Sequence, residues 1–426
     1  MLYEIRPNGK VVHMDALQTL KGFRDFLPAE ARKRQYVIEK LKTVFELYGF
    51  APLETPALEY EELLTGKYGE EADKLMYRFT DNGERRVAMR YDQTVPLARV
   101  VAQYPEIPKP FKRYQIQPVW RADNTQKGRF REFLQCDIDI VGSDSILADA
   151  EVIAAVVDGY KALGISSIKV LINDRNVLFD VMKQAGIPED QYTRAILTID
   201  KLDKKTPEAV QTELIEKGFS QEIVSALFDG LKSAQMSDRL MALFSMVAGF
   251  GIDPVVLEFR PYLARGLDYY TSTIFECVIP EYTVGSVGGG GRYDKLIEKL
   301  SGVSAPAVGY AFGFDRTVDA MTDLSLFPDE MVKTRVLVTI FDDTKPAIDY
   351  AIAVASTLRK AGISTDLFSN PGVKLEKQLK YADKQNMQYA IIAGEKEIAS
   401  QEVTIKTLAT HEQQTVSLNE LVQAVL

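Results

Sequence analysis

The sequence predicts an α+β protein of more than one domain, and three observations carry that reading. Strand-like segments at Arg86–Met89, Phe111–Trp120 and residues 133–141 cluster in the first third of the chain. Residues from about 175 to 252 are helical and charged and lack glycine-rich motifs, which reads as a helical insertion. The last ninety or so residues alternate strand-like and helical patterns, as a small α/β unit would. A length of 426 residues, at roughly 150 per domain, agrees with two or three units.

Residues 1–20 precede the first helical pattern and read as an extension. Pro28 stands where a helix starts, and Val37, Ile38, Leu41, Val44, Phe45 and Tyr48 recur at helical spacing until Gly49. An extended segment with Pro52 and Pro56 follows. The strands at 111–120 and 133–141 are separated by a polar, basic segment, residues 122–131, which reads as a long hairpin loop of functional type. A helix is expected over 146–163 and a buried strand over 167–173. After the helical insertion, strands return at 255–259 and 273–280. The run Gly309-Tyr310-Ala311-Phe312-Gly313-Phe314-Asp315-Arg316 reads as a strand or small-residue turn feeding a helix. A second domain, residues 331–426, has strands at 336–340, 364–368, Tyr389–Ile392 and Glu402–Thr407, with helices at 345–361 and 373–384 between them.

Composition excludes several function classes. No apolar run reaches the length of about 18 residues that a membrane span needs, and the N-terminus has no apolar signal core, so a cytoplasmic protein is expected. Two cysteines, Cys136 and Cys277, and two histidines, His13 and His411, are too few and too scattered for a structural zinc site. They also leave a histidine-based acid–base catalyst or a Ser-His-Asp hydrolase without its parts. The net charge of −9 opposes indiscriminate nucleic-acid binding, yet residues 109–131 carry seven basic residues against Asp123 alone. That window suits phosphates; a solvated charged face is the other reading.

Arg265-Gly266-Leu267-Asp268-Tyr269-Tyr270, followed by Gly288-Gly289-Gly290-Gly291-Arg292-Tyr293-Asp294, brings together a fixed cation, two phenols and a side-chain-free floor. Such a set suits a pocket that reads a small polar zwitterion beside a phosphate. The glycine run is no P-loop, because no Gly-Lys-Ser/Thr follows it. It reads as a strand-edge segment that a ligand approaches closely, or as a flexible turn. Arg121 and Arg316 end predicted structural runs, and arginines converging from remote segments suit a nucleoside triphosphate. Each taken singly suits a surface ion pair.

Taken in order, these residues resemble a class II aminoacyl-tRNA synthetase and, more closely, the histidyl-tRNA synthetase family, from Lys21 to the C-terminus. Lys21-Gly22-Phe23-Arg24-Asp25, with the helix ending Leu47-Tyr48-Gly49-Phe50 and Pro56 beyond it, resembles motif 1. Trp120-Arg121-Ala122-Asp123 through Arg129-Phe130-Arg131-Glu132-Phe133 resembles motif 2, and Gly309 to Arg316 resembles motif 3. RGLDYY and GGGRYD are similar to the family's histidine signatures.

The resemblance implies an antiparallel-sheet catalytic domain over residues 21–330 with its helical insertion, an anticodon-binding domain after it, and a homodimer formed through motif 1. It implies activation of L-histidine with ATP, Mg2+ accompanying the nucleotide, and transfer to tRNA(His). ATP contacts would fall to Arg121 at the α-phosphate, Arg316 toward the γ-phosphate and Phe133 on adenine. Asp123 stands where many class II enzymes carry glutamate. Asp92, Thr94 and Gln135 would hold the α-ammonium of histidine, Asp139 and Tyr270 the imidazole with Tyr269 adjacent, and Arg265 would bridge carboxylate and α-phosphate. Thr317 replaces a more usual apolar residue. Lys127 and Arg129 in the hairpin loop, and the stripe Lys374, Lys377, Lys380 and Lys384, would touch tRNA; a solvated helix face is the other reading of the stripe. A noncatalytic regulatory subunit of ATP phosphoribosyltransferase shares this core. It usually lacks the second domain and the catalytic arginines, whereas this chain has both. A class II synthetase for another amino acid is the remaining alternative, and RGLDYY with GGGRYD argues against it.

Overall fold

The computed structural model describes residues 3–5, 11–13, 18–65, 75–125, 130–264, 269–328 and 335–426. They fall into two compact units, Met1–Phe327 and Pro328–Leu426.

In the first unit, β1 (Tyr3–Ile5) and β2 (Val11–His13) form an antiparallel pair. The Pro28–Leu47 helix then starts on its proline and buries Val37, Leu41, Val44 and Phe45, one stripe at helical spacing. Gly49, at φ +75°, turns the chain out of that helix. Strands β3 (Ala51–Pro52), β4 (Leu58–Tyr60), β5 (Arg78–Thr80) and β6 (Arg86–Met89) follow. β4, β6 and β5 make a small antiparallel sheet, in that order, and the Thr94–Gln103 helix follows it in the chain. Neither that helix nor β4 and β5 is legible in the sequence, since three-residue strands are too short to show a period.

The framework is an eight-stranded sheet ordered β10-β9-β11-β12-β13-β8-β7-β3. Its further members are β7 (Phe111–Trp120), β8 (Glu132–Val141), β9 (Lys169–Asp174), β10 (Leu257–Phe259), β11 (Thr273–Val278), β12 (Gly288–Arg292) and β13 (Ala307–Phe312). All neighbours are antiparallel except β10 with β9 and β3 with β7. The expected hairpin is present: Trp120 pairs with Glu132 and Phe111 with Val141. Tyr114, Cys136, Ile138 and Ile140, all even-numbered, enter the main core with the Pro28–Leu47 and Ile146–Ala162 helices. Odd-numbered residues stand on the opposite face, as the period of two requires.

The four glycines are not at an edge. They form β12, hydrogen-bonded on one side to β11 and on the other to β13. At Gly288, Gly290 and Gly291 neighbouring groups approach so closely that side chains would not fit: a Cβ added at Gly290 would lie 2.1 Å from the Gly309 carbonyl oxygen, while Gly289 lines the cavity. Close approach of protein backbone and side chains, rather than of a ligand alone, accounts for the run.

Helices Arg175–Gln184, Tyr192–Ile199, Pro207–Glu216 and Gln221–Ser233 pack around a core of their own, with Leu178, Ile196, Leu214 and Leu227 at its centre. The next helix, Asp238–Gly249, buries Leu240, Leu243 and Val247 in the main core instead. The self-contained part of the helical insertion thus ends before that helix.

The second unit contains β14 (Val336–Val338), β15 (Thr365–Leu367), β16 (Tyr389–Ile392), β17 (Glu402–Thr407) and β18 (Gln413–Ser417), ordered β15-β14-β16-β17-β18. The first three are parallel and the last two turn antiparallel. The Lys345–Lys360 helix covers the sheet through Tyr350, Val354 and Leu358.

Candidate active site

The odd-numbered face of β7 and β8 makes a polar ladder within an otherwise apolar sheet. Its cross-strand pairs are Arg113 with Asp139, Gln115 with Asp137, and Gln117 with Gln135. Arg113 Nη2 lies 2.7 Å from Asp139 Oδ2 and 3.9 Å from Asp137 Oδ2. Gln135 Nε2 donates to Asp137 Oδ2 at 2.7 Å, and Arg113 Nη1 donates to Gln115 Oε1 at 3.2 Å. The hydroxyl of Tyr293, just beyond the glycine strand, donates to Asp139 Oδ1.

Burial dominates the electrostatics of this ladder. Loss of hydration pushes the Asp137 carboxyl up to about 7, with Asp139 adding to the rise and Arg113 opposing it. Asp139 is raised by the same loss of hydration, while Arg113 and the Tyr293 hydroxyl pull it down and Asp92 pushes it up. A buried acceptor facing a cavity is suited to a ligand N–H, whose donor would offset part of that cost.

The ladder opens into a cavity of about 380 Å³, within the usual range for small-molecule sites. Its wall includes Asp92, Thr94, Arg121, Asp123, Phe133, Gln135, Asp139, Tyr269, Tyr270 and Arg316, drawn from segments more than two hundred residues apart. Asp92 accepts from the Val95 N–H at 3.3 Å, at the start of the Thr94–Gln103 helix. Arg121 donates through Nε to the Tyr91 carbonyl at 3.0 Å, and its guanidinium lies 5.0 Å from the centre of the Phe133 ring. Arg316 donates to the Ser286 carbonyl at 2.9 Å. Tyr269 and Tyr270 sit ring to ring, their centroids 4.7 Å apart, and Tyr269 meets the edge of Tyr293 at 6.0 Å.

Motif 1 supports the rim from within the same chain. Arg24 lies over the Phe130 ring at 3.2 Å and pairs with Asp315 at 3.1 Å, and Arg34 pairs with the same carboxylate. Gly22, at φ +91°, accepts from the Arg131 N–H at 2.9 Å, which ties the motif to the end of the hairpin loop. Thr317 is buried, and its hydroxyl donates to the Gly313 carbonyl at 3.1 Å; this internal partner accounts for a polar residue there.

Arg265, Lys127 and Arg129 lie outside the described residues. Lys374, Lys377 and Lys380 belong to the second unit, exposed at the start of and along the Leu375–Lys384 helix, with Lys380 paired to Glu376 at 2.6 Å. Cys136 and Cys277 are buried free thiols. Within GGGRYD the two polar side chains part company. Arg292 is buried away from the cavity and bonds Asp149 and the Ser143 and Ser145 carbonyls, whereas Tyr293 faces Asp139. Arg113 and Asp137 belong to this ladder and were not singled out from the sequence, and Tyr293, named within GGGRYD, was given no role there. One signal was present: Gln135-Cys136-Asp137-Ile138-Asp139-Ile140 alternates polar and apolar, which puts Asp137 on the face of Gln135 and Asp139.

Residues 22–317 match the family model described as histidyl-tRNA synthetase, and residues 335–426 match that of the anticodon binding domain. A histidine–tRNA ligase of Gloeobacter violaceus is 42% identical to this chain, over 95% of this chain and 97% of the relative. One from Cytophaga hutchinsonii is 39% identical, over 95% and 98%. Among solved structures, histidyl-tRNA synthetase from Nostoc sp. PCC 7120 superposes with a TM-score of 0.82 at 30% identity, covering 96% of this chain and 98% of that one. No helix among the described residues is long and apolar enough to cross a membrane.

Proposed function

This chain belongs to the histidyl-tRNA synthetase family, and on that premise we propose how its cavity performs the reaction. The activity is that of a histidine–tRNA ligase: histidine is activated with ATP and transferred to tRNA. In activation the histidine carboxylate attacks the α-phosphorus and diphosphate leaves. In transfer a hydroxyl at the tRNA 3′ end attacks the acyl carbon and AMP leaves. Neither step requires a side chain to become covalently bonded, so the protein's contribution is orientation and charge stabilisation.

Arg121 takes the α-phosphate, where charge develops, and Arg316 takes the distal phosphates. Phe133 stacks on adenine, with Asp123 toward its amine. Asp92, Thr94 and Gln135 receive the α-ammonium. Asp139 accepts an imidazole N–H, and Tyr270, beside Tyr269, closes the other side of the ring. Arg265 bridges the histidine carboxylate and the α-phosphate. Glu276 on the cavity wall is a carboxylate that would help hold the Mg2+ accompanying ATP, which would neutralise phosphate charge there. The Lys374, Lys377 and Lys380 stripe contacts the anticodon backbone, and Lys127 and Arg129 the acceptor end. A homodimer through motif 1 gives the exposed Leu20, Leu27 and Leu47 a partner surface, and a cytoplasmic location fits the reduced cysteines.

The observation that carries this reading is the opening of a buried carboxylate acceptor and two arginines into one cavity. ATP–diphosphate exchange with each amino acid in turn tests it. Exchange is expected with histidine alone, and the folded Arg121→Ala variant should lose it by roughly a hundredfold or more. Exchange with another amino acid, or undiminished exchange in that variant, would sink the assignment. A noncatalytic regulatory subunit is not favoured, because both arginines and the anticodon-binding unit are present.

A further inference from the structure

Two carboxylates, Asp137 and Asp139, face one guanidinium at the foot of the imidazole subsite. Arg113 is fully buried and forms no part of the cavity wall, so it lies behind the residues a ligand touches. Its Nη2 is 2.7 Å from Asp139 and 3.9 Å from Asp137, an unequal division. Among the described residues Asp137 Oδ1 has no hydrogen-bond partner and Asp139 Oδ2 is met by Arg113 Nη2 as an ion pair alone, while the other oxygens take the Gln135 amide and the Tyr293 hydroxyl. We propose that Arg113 is a positioning residue for histidine selection: it holds Asp139 ionised and aimed at the imidazole N–H against the competing carboxylate of Asp137. The inference rests on Asp139 reading the imidazole, as above.

The physical logic is that of paired carboxylates pushed apart by their surroundings. Two buried acids this close do not both ionise without a cation, and the acid nearer the cation ionises first. The charged or titratable groups facing Asp139 are Arg113 from β7, Asp137 on its own strand, Asp92 before the Thr94–Gln103 helix, Tyr293 after β12 and Tyr270 before β11; Gly309 on β13 brings none. Arg113 is the one cation in that set among the described residues. Without it the proton that burial already favours on Asp137 is shared with Asp139, and a protonated Asp139 no longer offers an acceptor-only face.

Exchange kinetics of the full chain across about pH 5.5 to 8.5, with KM for histidine and for ATP measured separately, test the proposal. Arg113→Met should raise the histidine KM roughly 30-fold or more and leave the ATP KM within about threefold, since removing one partner strands a buried charge. It should also move the acid limb of kcat/KM for histidine to higher pH. R113K, which keeps the charge, should hold the limb near its original position. The double variant R113M/D137N, with cation and competitor both gone, should recover part of the histidine KM. Parallel loss for both substrates, an unmoved limb, or a double variant no better than R113M would overturn the role of Arg113. Should R113M not fold, D137N decides: Arg113 then serves Asp139 alone and the limb moves down, and a limb that stays or rises overturns the proposal. Asp139→Asn reads the premise separately. If it binds histidine as the parent does, the imidazole assignment fails and this inference with it; if it loses histidine while R113M does not, this inference alone fails.

Discussion

At Gly309 a single added methyl group would close the site. A Cβ there would lie 1.8 Å from Asp139 Oδ1 and 3.0 Å from the Ile138 carbonyl oxygen, so the carboxylate occupies the space a side chain would take. Gly309→Ala should therefore displace Asp139. The expected outcome is a rise in histidine KM of roughly a hundredfold with the ATP KM little changed, together with about 1–3 kcal/mol of destabilisation from overpacking, read by exchange kinetics and urea unfolding. Asp137 gives a second prediction. Its carboxyl goes from an ordinary 3.8 to about 7 because burial disfavours its charge. The folded chain therefore binds that proton more tightly than the unfolded one. This contribution to stability is fully present below about pH 3.8 and is lost as pH rises through about 7. Unfolding free energies measured over that interval should fall less steeply with pH in Asp137→Asn than in the parent, and equal slopes would refute the assignment.

The elements that bear the site are β7, β8 and the glycine strand β12. The first two were legible, because ten residues with a period of two leave little choice of face. The hairpin between them was legible from its polar loop. β12 was not, since four glycines carry neither hydrophobic period nor β-propensity, and only pairing to β11 and β13 makes them a strand. Their smallness is then explained by their neighbours. A Cβ at Gly291 would meet the Thr273 carbonyl oxygen at 2.6 Å and the Tyr270 ring at 2.8 Å, and one at Gly290 the Gly309 carbonyl oxygen at 2.1 Å. Backbone cannot swing aside as a flexible side chain can. Gly290→Ala is thus expected to destabilise the first unit by about 1–3 kcal/mol or more and to weaken ATP and histidine together, unlike Gly309→Ala; a selective loss of histidine would contradict this account.

Over the whole molecule, the cavity lies in the first unit and the Lys374, Lys377 and Lys380 stripe in the second. If the Lys374 and Lys377 stripe serves the anticodon backbone, K374A/K377A should raise the KM for tRNA several-fold, flatten its salt dependence and leave histidine-dependent exchange unchanged. Unaltered aminoacylation would return the stripe to a solvated helix face. Periodicity and motif order are local properties of a chain, so the class of fold, the two long hairpin strands and the α/β tail were legible in the sequence, while the ordered arginine, carboxylate and phenol set was an expectation raised by its motifs. It took the packed fold to show that Arg292 anchors Asp149 while Tyr293 reaches Asp139, that the Asp238–Gly249 helix belongs to the main core, and that Arg113 stands behind two aspartates. Those outcomes depend on which strand lies beside which and on what is desolvated between them. Register and burial are set by pairing across the sheet, and no local pattern records them.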